Sequence, residues 1–404
     1  MRVLYFHQHF STREGTGGTR SYEFSQELLT RGHTVVMVCG SGANARTGLS
    51  GPFANGIREG VVDGIEVLEL DLPYSNNDGL LKRSATFAQF AARASLIAMR
   101  QPCDIVFATS TPLTAGIPGV LGRIRHPRRP FVFEVRDLWP ELPKAMGVVT
   151  NPFVLAAMGA LEWISYRAAS GLIGLSPGIC DGIRSRAGNR PVTMIPNGSD
   201  LDLFKPNPQA ERSGDAGRFR FVFCGAHGQA NGLDNVLDAA AELVAGPHSD
   251  IEVHLIGSGG QKETLQRRAA SEGLSNVFFH DAIPKSVLAT QLPDFDAGLM
   301  VLANVPAFYF GTSPNKFFDY VSAGLPVLTN YPGWVAGLIE SHGCGTAVEP
   351  GQPALLADAM VEMSKNRAAT MQMGQNARAM AESDFSRSRG ATMFVEFLES
   401  IVAR

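Results

Sequence analysis

Long apolar segments are missing from this sequence of 404 residues. No run of 18 apolar residues occurs, which argues against a membrane-spanning helix. The opening residues, MRVLYFHQHF, contain one basic residue and no extended apolar core, so we expect no signal peptide.

Cysteine is also scarce. The five cysteines are odd in number, widely scattered and never arranged as Cys-x-x-Cys: Cys39, Cys103, Cys180, Cys224 and Cys344. This pattern argues against a disulfide framework or a zinc knuckle, and it favours a reducing cytoplasm.

Charged residues make up only 18% of the chain and give a formal net charge of −3. No overall positive field would therefore attract nucleic acid, and we expect no nucleic-acid partner. A hydrophobic fraction of 45% is typical of a soluble globular protein, and the length predicts two or three domains.

Strand-like and helix-like segments alternate along the chain, which predicts an α/β fold. The segments RVLYFHQHF, TRSYEFSQELLTRGH and TVVMVCG read as a βαβ unit, and short apolar strands bounded by glycine favour a parallel sheet. A polar stretch rich in proline, glycine and charge interrupts the alternation, which restarts at FRFVFCGAHG. We predict an N-terminal Rossmann-like domain over 1–204, a linker over 205–218 and a second Rossmann-like domain over 219–385.

The last segment, 386–404, reads as an amphipathic helix without a following strand. It could pack on either domain, and we expect it to return to the N-terminal one. Two doubly wound domains that face each other bind ligands in the central cleft, at the carboxyl ends of their strands.

Glycine-rich loops follow the first strand of the chain, EGTGGTR at Glu14–Arg20, and a strand of the second half, IGSGG at Ile256–Gly260. Such loops let the backbone approach a ligand closely and offer free N–H groups to an anion, although a plain turn has the same composition. Arg20 occupies the third glycine position of G-x-G-x-x-G, and the second strand ends without an acidic residue, at Cys39-Gly40. A nicotinamide-dependent dehydrogenase is therefore disfavoured.

Charged and polar residues end two strands of the first half. Arg136 and Asp137 follow FVFEV, and His7 and His9 end the first strand. Residues at this edge either face the cleft, or form a local Arg–Asp pair and cap turns.

The segment SPNKFFDYVSAGLPVLTN, from Ser313 to Asn330, places Lys316 and Asp319 on one face of a helix. Two interpretations are open. The two residues form a surface ion pair, or they bind a ligand with a negative end and a hydroxylated end.

Four motifs together are specific: Gly-Gly after the first strand, VTMIPNGSDLDLF, FCG followed by NGLDNVLDAA, and SPNKFFDYVSAGLPVL. They resemble a retaining glycosyltransferase of family GT4, whose fold is GT-B, over essentially the whole chain. RDLWPE with SPNK is similar to the branch that assembles O-antigen, capsule and colanic acid. The resemblance implies transfer from a nucleotide sugar, expected to be UDP-linked, to a polyprenyl-diphosphate-linked saccharide at the cytoplasmic face of the inner membrane.

The resemblance also implies roles for residues, with two departures from the family pattern. Of the two glutamates of the E-x7-E motif, the second, which holds the ribose hydroxyls, is Asp319 here, and the first is Gly311. The arginine and lysine that grip the diphosphate are replaced by Ala226 and Asn231. Lys316 is then the best remaining cation on that side.

The implied site has two parts. The predicted catalytic residues are Arg136 and Asp137, on the acceptor side, and Lys316. The predicted donor-binding residues are Gly17, Gly18, Arg20, Gly225, Ile283, Ser313, Asn315, Lys316 and Asp319. The resemblance implies no metal and no cofactor besides the nucleotide sugar as co-substrate, and Asp200 to Asp202, in the connector, is not a metal motif.

Alternatives remain at this point. A GT-B sugar-nucleotide epimerase would need cleft carboxylates, and the sequence offers few beyond Asp137 and Glu134. A non-catalytic nucleotide-sugar-binding partner fits the neutral residues at 226, 231 and 311.

A basic amphipathic helix is predicted at Leu80–Arg100, and the segment GRIRHPRRP adds four arginines, Arg123, Arg125, Arg128 and Arg129. Docking on anionic lipid and a solvated helix beside a basic loop are both open interpretations.

Overall fold

The apolar strands pair into two separate sheets in the computed structural model, which describes residues 1–15, 18–42, 46–75, 78–206 and 217–404. The described chain divides into two units. Unit 1 comprises Met1–Pro196, Phe310–Ser313 and Ser388–Arg404, and unit 2 comprises Asn197–Tyr309 and Pro314–Arg387. Residues 207–216, most of the predicted linker, lie outside the described residues.

Unit 1 is built on a sheet in which eight strands are described, in the order β3-β4-β2-β1-β5-β6-β7-β8. The strands are β1 (Arg2–Phe6), β2 (Thr34–Gly42), β3 (Ile57–Val62), β4 (Ile65–Tyr74), β5 (Ile105–Thr109), β6 (Phe131–Val135), β7 (Gly171–Gly174) and β8 (Val192–Met194). The central strand β1 pairs in parallel with β2 and β5, and it is buried from Val3 onward. Near-continuous apolar strands of this kind are expected where helices cover both faces of a parallel sheet.

The edge of this sheet departs from the sequence prediction, because β3 and β4 form an antiparallel hairpin. The turn residues are Asp63, at φ 48°, and Gly64, at φ 85°. An Asp-Gly pair between two segments of alternating apolar and polar residues is a strong signal for a β-hairpin. The sequence therefore contained enough information to predict this hairpin.

Helices cover both faces of the sheet in unit 1. They are α1 (Arg20–Thr30), α2 (Leu80–Arg100), α3 (Gly116–Arg125), α4 (Glu141–Ala145), α5 (Pro152–Ala168) and α6 (Pro177–Ala187). One apolar core contains Leu4 and Phe6 with residues of α2 and α6, and the other contains Val3 and Tyr5 with residues of α1.

Unit 2 is built on a parallel sheet in which six strands are described, in the order β11-β10-β9-β12-β13-β14. The strands are β9 (Phe219–Cys224), β10 (Ile251–Ile256), β11 (Val277–His280), β12 (Ala297–Met300), β13 (Val327–Thr329) and β14 (Gly345–Ala347). The helices are α7 (Asp234–Ala245), α8 (Lys262–Ser271), α9 (Lys285–Gln291), α11 (Asn315–Ser322), α12 (Trp334–His342), α13 (Pro353–Lys365) and α14 (Arg367–Ser383). Helix α10 (Pro306–Gly311) begins in unit 2, and its last two residues are grouped with unit 1.

The last helix, α15 (Arg387–Val402), places its apolar face in the core of unit 1. Phe394 stacks on Phe24 with ring centroids 4.3 Å apart, and it meets the edge of Phe107 at 4.8 Å. Within the described ranges, no helix combines the length and hydropathy needed to cross a membrane.

Candidate active site

Lys316 lies beneath the loop that follows β9 in unit 2. Its Nζ donates to Oδ1 of Asn231 at 2.7 Å and lies 3.9 Å from the centroid of the Phe223 ring. The side chain also fills the space next to Gly225, where a Cβ would lie 3.3 Å from both Cε and Nζ of the lysine. The ammonium group of Lys316 therefore contacts Asn231, the position at which the resemblance implied a lysine.

Burial gives this ammonium group an unusual acidity. It lowers the pKa of Lys316 from 10.5 to about 7, because the charged form is poorly solvated beside an aromatic ring and a glycine loop. An anion bound at this loop would favour the charged form, so the site can take up a proton when such a ligand arrives.

Asp319 lies one turn further along α11 and has a different partner from the one its spacing suggested. Its Oδ1 is 2.9 Å from Nζ of Lys285, and both side chains are nearly buried. The surface ion pair between Lys316 and Asp319 that the sequence left open therefore does not form. Lys316 contacts Asn231 instead, and Asp319 contacts Lys285.

Lys285 begins α9, and the sequence analysis missed it. Its ammonium group lies 5.3 Å from the centroid of the Phe204 ring, and burial lowers its pKa although the Asp319 carboxylate opposes this shift. A second buried pair, Asp200 and Arg387 at 3.9 Å, acts on Lys285 electrostatically. The connector residue Asp200 thus has a structural role among buried charges.

The loops after β9 and β10 pack closely because both contain glycine. Gly257 has φ 154°, and a Cβ there would lie 1.9 Å from the carbonyl oxygen of Gly225. His227, in the loop after β9, is buried, and its backbone N–H donates to the carbonyl oxygen of Ser258 in the loop after β10. The sequence analysis also missed this residue. Burial, then the nearby Lys262 and Lys316, lower the pKa of His227 to about 4, so this imidazole is neutral at pH 7.

Three other predicted donor residues lie close to these elements along the chain. Ile283 is half-buried in the loop after β11, two residues before Lys285. Asn315 begins α11 and is half-buried, and Ser313, two residues earlier, is buried.

In unit 1, polar residues follow the carboxyl ends of β1 and β6. The backbone N–H of Arg136 donates to Oγ of Ser110 at 2.9 Å. Burial, then the charge of Arg136, lower the pKa of His7 and bring that of His9 to about 4. The histidines are neutral at pH 7 and lie within the electrostatic reach of Arg136.

Asp137 is less acidic than an exposed aspartate. Burial raises its pKa, while Arg136 and a hydrogen bond from Thr111 oppose the shift. A carboxylate of this kind can act as a base or as a hydrogen-bond acceptor for a sugar hydroxyl.

The position of Arg20 does not fit its predicted donor-binding role. Its guanidinium group is 3% exposed and pairs with the buried Glu134, with Nε 2.9 Å and Nη2 2.8 Å from Oε2. It also donates to the carbonyl oxygens of Ile195 and Pro196. These partners use the guanidinium group inside unit 1, so it is not available to neutralise a diphosphate.

The first glycine loop is described only in part. Gly18 is exposed just before α1, whereas Gly17 lies outside the described residues. Among the residues that the structure describes, no group of three or more His, Cys, Asp or Glu side chains could hold a metal ion.

The two units define a GT-B protein, and comparison with known families gives its class. Residues 15–198 match the family described as Glycosyl transferase 4-like domain. Residues 207–380 match Glycosyl transferases group 1. The chain thus carries a glycosyl transferase 4-like domain and a group 1 domain, and it is a glycosyltransferase. No curated protein sequence gives a significant match.

Solved structures with the same fold extend over nearly the whole chain. Sucrose-phosphate synthase from Thermosynechococcus elongatus has a TM-score of 0.78 at 16% identity, covering 100% of this chain and 99% of that one. HepE from Anabaena, in complex with UDP and glucose, has a TM-score of 0.71 at 20% identity, covering 99% and 100%. WaaG, a glycosyltransferase involved in lipopolysaccharide biosynthesis, has a TM-score of 0.67 at 16% identity, covering 97% and 99%. At these identities the similarity shows the GT-B fold.

Proposed function

We propose that this glycosyltransferase moves a sugar from a UDP-linked donor, with retention of configuration, to a polyprenyl-diphosphate-linked saccharide or a similar acceptor in surface polysaccharide biosynthesis. The observation that carries the proposal is the ammonium group of Lys316, which lies 2.7 Å from Asn231 beneath the β9 loop. A cation at this loop supports binding of a diphosphate even though Ala226 and Asn231 are neutral.

Lys316 has the main chemical role on the donor side. Departure of the nucleotide diphosphate builds negative charge, and a cation already held in a poorly solvated place stabilises that charge without reorganisation. Asp319 accepts hydrogen bonds from the ribose hydroxyls, and its contact with Lys285 keeps the carboxylate in one orientation. Gly18, Gly225, Ile283, Ser313 and Asn315 complete the proposed donor contacts, with Gly17.

Arg136 and Asp137 are assigned to the acceptor. The Arg136 cation suits a carrier diphosphate, and Asp137, with its raised pKa, suits a sugar hydroxyl. HepE, which shares the fold, was solved with UDP, and this supports the choice of a UDP-linked donor. We place the reaction in the cytoplasm, at the membrane face where such an acceptor resides, and transfer without a metal remains a prediction.

An epimerase is the weaker alternative, because Glu134, one of its few candidate carboxylates, is held by the buried Arg20. A non-catalytic binding partner would bind the nucleotide without turnover. Measuring sugar transfer to an acceptor distinguishes it from an enzyme.

The test begins with a thermal-shift screen of UDP, GDP and their sugars, since a ligand that binds the native state raises its apparent stability. UDP compounds should stabilise the protein, and transfer to a lipid-diphosphate saccharide should follow. Lys316→Ala should then lower kcat by roughly a hundred- to thousand-fold, because it removes one charge-assisted contact to the leaving group. Asp319→Ala should mainly raise the donor KM of the folded enzyme, because ribose contacts are equal in ground and transition states. It should also lower stability, because it leaves the nearly buried Lys285 unpaired.

Lys365→Ala, at an exposed lysine of α13, is the matched control and should be silent. Small, equal effects of Lys316→Ala and Asp319→Ala on both constants would remove Lys316 from the mechanism. Binding of UDP without turnover for any acceptor would instead identify a binding partner.

A further inference from the structure

Helix α5 turns apolar side chains outward. Phe153 is 84% exposed, Trp163 52%, Val154 45% and Ile164 43%. The alanines at positions 156, 157 and 160 are exposed between them. Spacings of three and four residues place all of these on one face, so an uninterrupted apolar stripe runs for roughly 17 Å at 1.5 Å per residue.

Apart from the exposed Arg167, the charged and hydroxyl-bearing residues of α5 point inward instead. Glu162, Ser165 and Tyr166 are at most 2% exposed. Glu162 accepts a hydrogen bond from Arg186 at 3.2 Å, and burial raises the pKa of its carboxyl group to about 7. Apolar side chains therefore cover the outer face of α5 as well as its inner face, where Met158 and Leu161 pack against the core. Exposed apolar surface of this extent marks a contact with another body.

Arginines gather where the stripe ends. The guanidinium group of Arg167 lies 5.2 Å from the centroid of the Trp163 ring, and Arg190 donates to the carbonyl oxygen of Arg167 at 2.8 Å. Arg190 lines one cavity together with Arg123 and Arg128. The end of the stripe is therefore strongly positive.

The carboxylates of the adjoining helices do not offset this charge. Glu141 on α4 pairs with Arg186, and Asp181 on α6 pairs with Arg184 at 2.9 Å. Glu162 is the one carboxylate in the sequence of α5, and it is buried.

We propose that the exposed face of α5 docks on an anionic bilayer. Apolar side chains would enter the boundary between acyl chains and headgroups, while Trp163 and the arginines remain at the level of the lipid phosphates. With 17 residues, α5 is suited to lie in this plane rather than to cross it. A bilayer supplies an apolar layer and many negative charges side by side, which is what the stripe and its basic end require.

Helix α2, the basic amphipathic helix recognised from the sequence, fits this role less well. Lys82 pairs with Asp78 at 2.7 Å, and Arg93 donates to the carbonyl oxygen of Gly56 at 2.7 Å. Two of its basic side chains therefore serve contacts within unit 1. The inference adds a membrane surface to the proposed function, and its test uses neither donor nor acceptor.

The test is sedimentation of the full chain with vesicles of phosphatidylcholine, either alone or with about 30% phosphatidylglycerol. The wild-type protein should bind the anionic vesicles. Phe153→Ser and Trp163→Ser should each weaken binding about tenfold or more, since each removes a large apolar side chain from the lipid. Arg167→Gln with Arg190→Gln should reduce the preference for anionic over neutral vesicles.

Two variants serve as matched controls. Met371→Ser alters an exposed apolar residue of α14 in unit 2, and Leu81→Ser alters the most exposed leucine of α2. Both should bind like the wild type. The proposal is wrong if Leu81→Ser abolishes binding and the α5 variants do not. It is also wrong if the wild type ignores vesicles and the α5 variants convert a dimer into a monomer, because the stripe then faces a second copy.

Fluorescence covers the case in which an α5 variant fails to fold. Brominated lipid should quench the tryptophan emission of the wild type, and Trp163→Phe should lose that quenching. Equal quenching in both proteins would overturn the assignment.

Discussion

Raising the pH from about 6.5 to about 8.5 should weaken the binding of UDP-glucose by about 25-fold, through the deprotonation of Lys316. The folded-state pKa of this group is about 7. Roughly three quarters of the free protein then carries the ammonium charge at the lower pH, and about 3% at the higher pH. A bound diphosphate favours the charged form, so binding takes up a proton and affinity falls as the pH rises through 7.

The assay is isothermal titration calorimetry with UDP-glucose, whose diphosphate has no group that titrates in this range. Repeating it in buffers with different ionisation enthalpies measures the proton uptake directly. His7, His9 and His227 do not interfere, because each has a lowered pKa.

Lys316→Arg is the matched control, since arginine stays charged over the whole range and should give a flat profile. The reasoning is refuted if the wild type and Lys316→Arg show the same pH dependence. Tighter binding by the wild type at the higher pH would refute it as well.

Three further predictions concern the other charged residues. Lys285→Met should lower the free energy of unfolding by about 3–5 kcal/mol in urea titrations, because it leaves the Asp319 carboxylate buried and unpaired. Unchanged stability would contradict this reasoning, because it would mean that water solvates the Lys285–Asp319 pair. Arg136→Ala should reduce turnover while the dissociation constant for UDP stays the same, and a loss of both affinity and stability would make Arg136 structural instead. Glu134→Gln should lower the melting temperature and leave donor affinity intact, because its partner Arg20 is held inside unit 1. Weakened UDP binding at full stability would return Arg20 to the donor site.

Under the proposed function, Lys316 would provide the positive charge for the diphosphate in place of the two basic residues that the resemblance implied at positions 226 and 231. This cation would come from α11 rather than from the β9 loop, where Asn231 accepts a hydrogen bond from it. The β9 loop does not need a basic residue of its own if Lys316 of α11 places a positive charge at the same loop.

The sequence by itself determined the alternation of strands and helices, the two sheets and the loops that carry glycine. These features follow from local periodicity and from glycine, whose effects extend over a few residues. Strand-end residues such as Arg136 and Asp137 could be found in the same way, because parallel strands end at a common edge. The antiparallel hairpin was also readable, from Asp63-Gly64, although the prediction omitted it.

Only the tertiary structure decided which charges meet. Lys316 and Asn231 are 85 residues apart, and Arg20 and Glu134 are 114 apart, so no local pattern links them. Helical spacing put Lys316 beside Asp319, yet each found a partner on a different element. Burial then set the acidity of Lys316, because desolvation depends on what packs around a side chain, and the sequence of one helix does not contain that information.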